Sequence, residues 1–113
     1  MAKTYSDLFA DVRGSIKLIS LEDLKKRLDE RAARPFTLVD VREKDEYRVG
    51  YIPSAVHIPR GFLEMQAEQK IPDKAGEVIV YCAGGTRSAF AAKTLQELGY
   101  TNVLSVNPGF VRW

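Results

Sequence analysis

The chain predicts an α/β domain with a mostly parallel central sheet, and three features lead there. Apolar, strand-like runs alternate with helical segments along its length. The run Thr37-Leu38-Val39-Asp40-Val41 is β-branched and apolar, as expected of a strand covered on both faces. The strongest strand, Glu77 to Tyr81, leads through a glycine-bearing turn into the strongest helix, Thr86 to Leu98. At 113 residues this is one domain with one hydrophobic core, and no internal repeat or linker interrupts it.

The elements follow in order. Residues 4 to 13 read as a short amphipathic helix with Tyr5, Leu8, Phe9 and Val12 on one face. Ile16 to Ile19 is a short strand. Ser20 then offers an N-cap, with Asp23 three residues later as a shortened capping box. The helix from Leu21 to about Arg31 stripes Leu21, Leu24 and Leu28. After the strand 37–41, a polar helical turn from Glu43 to Arg48 runs to Gly50. Ala55 to Ile58 is a strand stopped by Pro59, Phe62 to Gln69 is helical, and Ile71-Pro72-Asp73 closes it. The last helix carries Ala89, Phe90, Ala92, Leu95 and Leu98 on its apolar side and ends at Gly99. Asn102 to Val106 is the final strand, and Asn107-Pro108-Gly109 a turn.

Composition narrows the function classes. A hydrophobic share of 45% and a charged share of 28% are ordinary for a globular protein. A formal charge of +2 gives no basis for nucleic-acid binding. The cluster Lys25-Lys26-Arg27 is flanked by Glu22, Asp23, Asp29 and Glu30, and reads as a solvated helix face. No segment approaches a transmembrane span, and the first residues lack a secretory pattern, so the expected address is the cytoplasm, without membrane partners. The single cysteine cannot form an internal disulfide and fits a reducing compartment. No Cys/His/Asp cluster has ligand spacing, so neither a metal nor another cofactor is expected.

That cysteine carries the chemistry. Residues 82 to 88 read CAGGTRS, directly after the apolar run Val78-Ile79-Val80-Tyr81. In parallel sheets ligands bind beyond the C-terminal ends of the strands, and Cys82 falls at that edge. Arg42 and Arg60 each follow another strand end, so both are expected beside the same pocket. Gly84 and Gly85 allow a tight curl that turns successive N–H groups inward, and the helix starting near Thr86 adds its positive end. A thiol there is expected to be held as thiolate, with the amides able to hold one further negative atom bonded to it. Arg87 adds fixed charge, and Ser88 adds a hydrogen bond or a cap. Four residues, Ala83 to Thr86, separate Cys82 from Arg87. Cysteine-dependent phosphatases use one more, so this tighter ring suits a terminal sulfur atom better than a phosphate.

The chain resembles a single-domain rhodanese. The stretches that carry the likeness are LVDVRE (38–43), DEYRVGYIPSAVHIP (45–59), VIVYCAGGTRSAFAAKTLQELGY (78–100) and GFVRW (109–113), in the family's order. The resemblance implies a three-layer α/β/α domain with a five-stranded, mostly parallel sheet over residues 16–113, with residues 1–15 as an N-terminal helical extension. It implies a sulfurtransferase in which Cys82, assisted by Arg87, takes sulfane sulfur from thiosulfate, a polysulfide or a protein persulfide. The loop Ala83, Gly84, Gly85, Thr86 and Ser88 would hold that sulfur, with Arg60 and Arg42 drawing the donor in. A thiol, cyanide or a sulfur-relay partner protein would accept it, because the chain has no second thiol. Asp40 or Glu46 is expected to pair with Arg87.

The departures from the family pattern are local. Ala83 stands where thiosulfate-favouring members carry a basic residue, and Tyr51 where the family has histidine, a change expected to be structural. Asn107-Pro108-Gly109 replaces a paired-glycine turn. The chain ends at Trp113, where members generally continue, as a shortened or excised domain would. His57 is expected to be structural, and Phe110 and Trp113 to pack in the core. Two competing readings are a non-catalytic docking or regulatory module, which would usually lack the cysteine or loop arginine, and a cysteine-dependent phosphatase or arsenate reductase.

Overall fold

The computed structural model describes residues 2–113, so Met1 of the expected 1–15 extension lies outside the described residues. Helix α1 (Tyr5–Ser15) opens on a capping box. The Thr4 hydroxyl accepts from the Asp7 N–H, and the Asp7 carboxylate from the Thr4 N–H, both at 3.1 Å. Strand β1 (Lys17–Ile19) leads to α2 (Leu21–Asp29), where Ser20 caps by accepting from the Asp23 N–H at 3.0 Å. Each such cap stabilises its helix by about 1 kcal/mol. Then come β2 (Thr37–Asp40), α3 (Lys44–Val49), β3 (Val56–His57), a 3-10 turn (Arg60–Phe62) and α4 (Leu63–Lys70). Strand β4 (Val78–Tyr81), α5 (Thr86–Glu97), β5 (Val103–Val106) and a 3-10 turn (Phe110–Arg112) complete the chain.

The five strands lie in the order β1-β5-β4-β2-β3, and every pairing is parallel, so the sheet goes beyond the mostly parallel expectation. Residue parity then sorts the core. Val39, Val41, Val78, Val80, Cys82 and Val103 pack with Leu63 and Ala67 of α4 and Ala91, Ala92 and Leu95 of α5. Leu38, Ile79, Tyr81 and Val106 pack on the other face with Leu24 of α2 and Ile52. The result is a three-layer α/β/α domain. The centrally placed β4 is buried along its whole length, which explains why its sequence is an unbroken apolar run.

Two expectations about the ends change. The α1 stripe meets the domain chiefly through Val12 and through Phe9, whose ring lies 6.0 Å from that of Phe90 on α5. Tyr5 and Leu8 stay largely exposed, because α1 leans on an outer helix and not on the sheet. At the other end Phe110 is half-buried, with its ring 6.0 Å from that of Tyr81. Trp113 is 46% exposed and does not join the core. Phe110 takes the slot beside Tyr81, and the 3-10 turn carries the following residues outward.

Candidate active site

Cys82 continues the parity of Val78 and Val80, so its side chain enters the sheet face covered by α5. The chain then turns back through Gly85, whose φ of 103° is a conformation that L side chains rarely adopt. A Cβ at Gly85 would meet the Pro108 carbonyl oxygen at 2.6 Å, whereas one at Gly84 would meet nothing within 4 Å. Only the second glycine is therefore demanded by the turn, which narrows the expectation that both are.

This geometry aims donors at the sulfur. The Gly85 N–H donates to Cys82 Sγ at 3.1 Å and the Ser88 N–H at 3.3 Å, and the thiol in turn donates to Ser88 Oγ at 3.5 Å. Ser105 on β5, fully buried, donates its hydroxyl to Ser88 Oγ at 3.0 Å and orients it. Cys82 is 1% exposed, so Sγ sits at the floor of the loop with the backbone of residues 83–88 above it. The floor is braced from behind. Phe110 N–H donates to the Cys82 carbonyl at 2.9 Å and Val111 N–H to that of Ala83 at 3.1 Å. Gly109 passes so close that a Cβ would lie 2.5 Å from the Ala83 carbonyl oxygen and 2.6 Å from that of Cys82.

Of the two acidic candidates, Glu46 pairs with Arg87, with contacts of 2.6 and 3.0 Å to its two carboxylate oxygens. The Arg87 hydrogen bonds hold the Glu46 carboxyl down at about 2, and Glu46 in turn raises Arg87. Glu46 also accepts the Glu43 N–H at 2.9 Å, which ties the start of α3 to the loop.

Asp40 and Arg42 serve a different purpose. They occupy the parity of Leu38, on the far face of the sheet from Cys82, so neither side chain reaches the loop. Arg42, 4% exposed, donates to Asp40 at 2.7 to 3.1 Å and to the Gly50 carbonyl at 2.6 Å, and its guanidinium lies 4.1 Å over the Phe110 ring. A contact of 3.5 Å from Arg42 to the Glu46 carbonyl supports α3 from below. Arg42 thus acts on the site through the helix that carries Glu46.

Arg60 also leaves the pocket. Its guanidinium bonds Glu64 and Thr94, both at 3.0 Å, and Thr94 lies eight residues along α5 from Thr86, about 12 Å at the helical rise. His57 stacks on Tyr47 with centroids 4.2 Å apart and bonds the Arg42 carbonyl at 2.8 Å through Nε2, while Tyr51 stacks on the other side of Tyr47. This places His57 in the scaffold and gives it no contact with the thiol.

The residues that the sequence reading did not single out are Ser105 and Gly109. Ser105 carried a signal, since a serine sits among apolar residues on the same face of β5 as Val103. Gly109 was read only as part of the Asn107-Pro108-Gly109 turn, and its need for a bare Cα arises from how closely two remote segments pass.

The site is thus a buried cysteine at a strand-to-helix turn of a parallel α/β domain, with the Gly85 and Ser88 amides directed at its sulfur. The rhodanese-like domain family model matches residues 20–113, and the chain is a member of that family. It is 34% identical over 106 residues to thiosulfate:glutathione sulfurtransferase of Saccharomyces cerevisiae, across 84% of this chain and 75% of the relative. It is 37% identical over 99 residues to the Bacillus subtilis sulfur-carrier candidate YrkF, across 88% of this chain but only 51% of that longer protein. Among solved structures, a Rhodopseudomonas palustris protein of unknown function, described as a possible tyrosine phosphatase, superposes with a TM-score of 0.84 at 28% identity. That match covers 100% of this chain and 90% of the other.

Proposed function

We propose that this chain is a sulfurtransferase that carries sulfane sulfur on Cys82. The observation that supports it best is the convergence of the Gly85 and Ser88 N–H groups on Sγ at 3.1 and 3.3 Å. In the first half-reaction the Cys82 thiolate attacks the outer sulfur of a donor. With thiosulfate, the new bond is Cys82 Sγ–S, the donor S–S bond breaks, and sulfite leaves with the electron pair. The persulfide keeps its negative charge on the outer sulfur, beneath the loop amides. In the second half-reaction a thiol, cyanide or a relay protein's cysteine attacks that outer sulfur, and the pair returns to Sγ. The sulfurtransferase relative lends this reading weight, and the sulfur-carrier candidate does so for a relay partner.

The description of the Rhodopseudomonas neighbour favours a phosphatase as the second reading. The loop argues against it, having four residues between Cys82 and Arg87, with both terminal nitrogens of Arg87 engaged by Glu46 rather than turned to an oxyanion.

The test is intact mass after brief exposure to thiosulfate and, separately, to a polysulfide, alongside Cys82→Ser. One added sulfur on the wild type only, removable by cyanide, is the expected result. No added sulfur from either donor, together with p-nitrophenyl phosphate hydrolysis lost in Cys82→Ser, would replace the proposal with the phosphatase.

A further inference from the structure

Ser105 is a polar residue where the packing asks for none. It pairs with Val80 across β4 and β5, on the sheet face that buries Val78, Val80 and Cys82. A hydroxyl taken out of water there costs free energy unless it is bonded, and an apolar residue would fill the strand position without that cost. Its side chain has one hydrogen-bond partner among the described residues, Ser88 Oγ at 3.0 Å. Ser88 is itself fully buried and accepts the Cys82 thiol at 3.5 Å. Ser105, Ser88 and Cys82 therefore form a chain of hydrogen bonds that ends on Sγ and begins in a strand outside the 82–88 loop.

A serine oxygen accepts two hydrogen bonds and donates one. With Cys82 as a thiol, Ser88 Oγ accepts from both the S–H and Ser105. Once the thiol proton has left to solvent, Sγ can only accept, and Ser88 turns its own hydroxyl toward the sulfur. Ser105 is then the one side-chain donor left to Ser88 Oγ, and its donation polarises and strengthens the bond to sulfur. Both serines are fully buried, so bulk water does not take over that bond. Removing Ser105 thus spares the thiol, whose S–H still serves Ser88, and leaves a buried oxygen without a donor only in the thiolate. The charge within electrostatic reach of Cys82 is Arg87 of α5, held by Glu46 of α3 with Glu43 nearby. The other elements on this face offer uncharged neighbours, Val39 and Val41 from β2, Val103 from β5 and Leu63 from α4. A change at Ser105 leaves all of these in place.

We infer that Ser105 is a positioning residue for the thiolate: from β5 it holds Ser88 so that the Ser88 hydroxyl donates to Sγ once Cys82 ionises. The chain orients and does not conduct, since the Ser105 side chain has no further partner among the described residues to pass a proton to. One consequence rests on the persulfide reading above. When an acceptor attacks the outer sulfur, the bond from that sulfur to Sγ breaks, the electron pair returns to Sγ, and Ser88 donates to the departing thiolate again.

The test is a pH titration of Cys82 by the ultraviolet absorbance of its thiolate, with Cys82→Ser as the blank. Wild type is compared with Ser105→Ala, Ser105→Val and Ser105→Thr, and urea midpoints check that each variant is folded. Valine and threonine are both β-branched and load the strand position alike, but only threonine keeps the hydroxyl. Ser105→Ala and Ser105→Val should ionise about half a unit to one unit higher in pH, from the loss of one hydrogen bond in the thiolate form. Ser105→Thr should stay within about 0.3 unit of wild type, since its donor remains. Iodoacetamide alkylation, with each variant scaled to its own plateau at high pH, should show the same shift. A packing defect alone would change that plateau and not the midpoint. In a Ser88→Ala background, Ser105→Ala should add no further shift, because the effect runs through Ser88. An unchanged midpoint in Ser105→Ala, an equal shift in Ser105→Thr, or a further shift in the Ser88→Ala background would each overturn the inference. None of these readouts uses a sulfur donor, so a wild type that titrates as expected but fails to load with sulfur counts against the persulfide reading alone.

Discussion

Replacing Gly85 by alanine should do far more damage than replacing Gly84, although the two are adjacent and chemically identical. At Gly85 a side chain must adopt φ near 103°, which costs about 1–2 kcal/mol for an L residue. Its Cβ would also lie 2.6 Å from the Pro108 carbonyl oxygen and 3.0 Å from Asn107 Oδ1. The first of these is backbone, held by β5 just before it, so the contact is relieved only by shifting the loop. Forced packing of this kind adds about 1–3 kcal/mol. The sum, about 2–5 kcal/mol, is a large share of the roughly 5–15 kcal/mol typical of a domain. Gly84 is exposed, and an alanine Cβ there would have nothing within 4 Å, so the substitution should cost less than about 0.5 kcal/mol. Urea unfolding of both variants against wild type is the assay. With a mid-range slope of about 2 kcal/mol/M, Gly85→Ala should lower the midpoint by roughly 1–2.5 M. Because the Gly85 N–H is also a donor to Cys82 Sγ, sulfur loading should fall in the same variant. A Gly85→Ala protein as stable as wild type, or a Gly84→Ala protein that is the less stable of the two, would refute the account of this turn.

Three further predictions separate scaffold from site. Arg42→Ala strands the fully buried Asp40 carboxylate and should cost about 3–5 kcal/mol in urea unfolding, well beyond Arg87→Ala; similar costs for the two would undo the distinction drawn between these arginines. Glu46→Gln should loosen Arg87 and slow sulfur transfer while costing under about 1 kcal/mol, because both partners are about a third exposed. Since Glu46 titrates lower when folded, at about 2 against 4.5, its contribution is present above about 4.5 and fades toward 2. The stability gap between wild type and Glu46→Gln should therefore close across that acid window, and a gap that widens would contradict the pairing. Ser105→Ala removes a buried donor to Ser88 and should cost about 1 kcal/mol, read as a shift in thermal midpoint; no shift would mean that Ser88 is oriented by other means.

The roles of Asp40, Glu46 and Arg42 show where sequence reading stops. Alternating parity along β2 was readable from residues 37 to 41, and it puts Asp40 and Arg42 on one face. Which face Cys82 takes depends on how β4 registers with β2, Val80 opposite Val39 and Tyr81 opposite Asp40. That pairing joins segments about forty residues apart, so no local pattern announces it. Position after a strand end was enough to place Arg42 and Arg60 near the sheet's C-terminal edge. It could not reveal that one turns beneath the sheet and the other along α5.

The sequence by itself determined the fold class, the alternation of strands and helices, and the place of the single cysteine at a strand-to-helix turn. Each of these rests on short-range physics: apolar periodicity, capping residues such as Thr4 and Ser20, and one cysteine at a strand-to-helix turn. Only the tertiary structure decided which carboxylate meets Arg87, that Ser105 stands behind Ser88, and that Gly109 must lack a side chain. Those contacts are made across strands and between chain segments, where the partner is chosen by packing and not by neighbours in the chain.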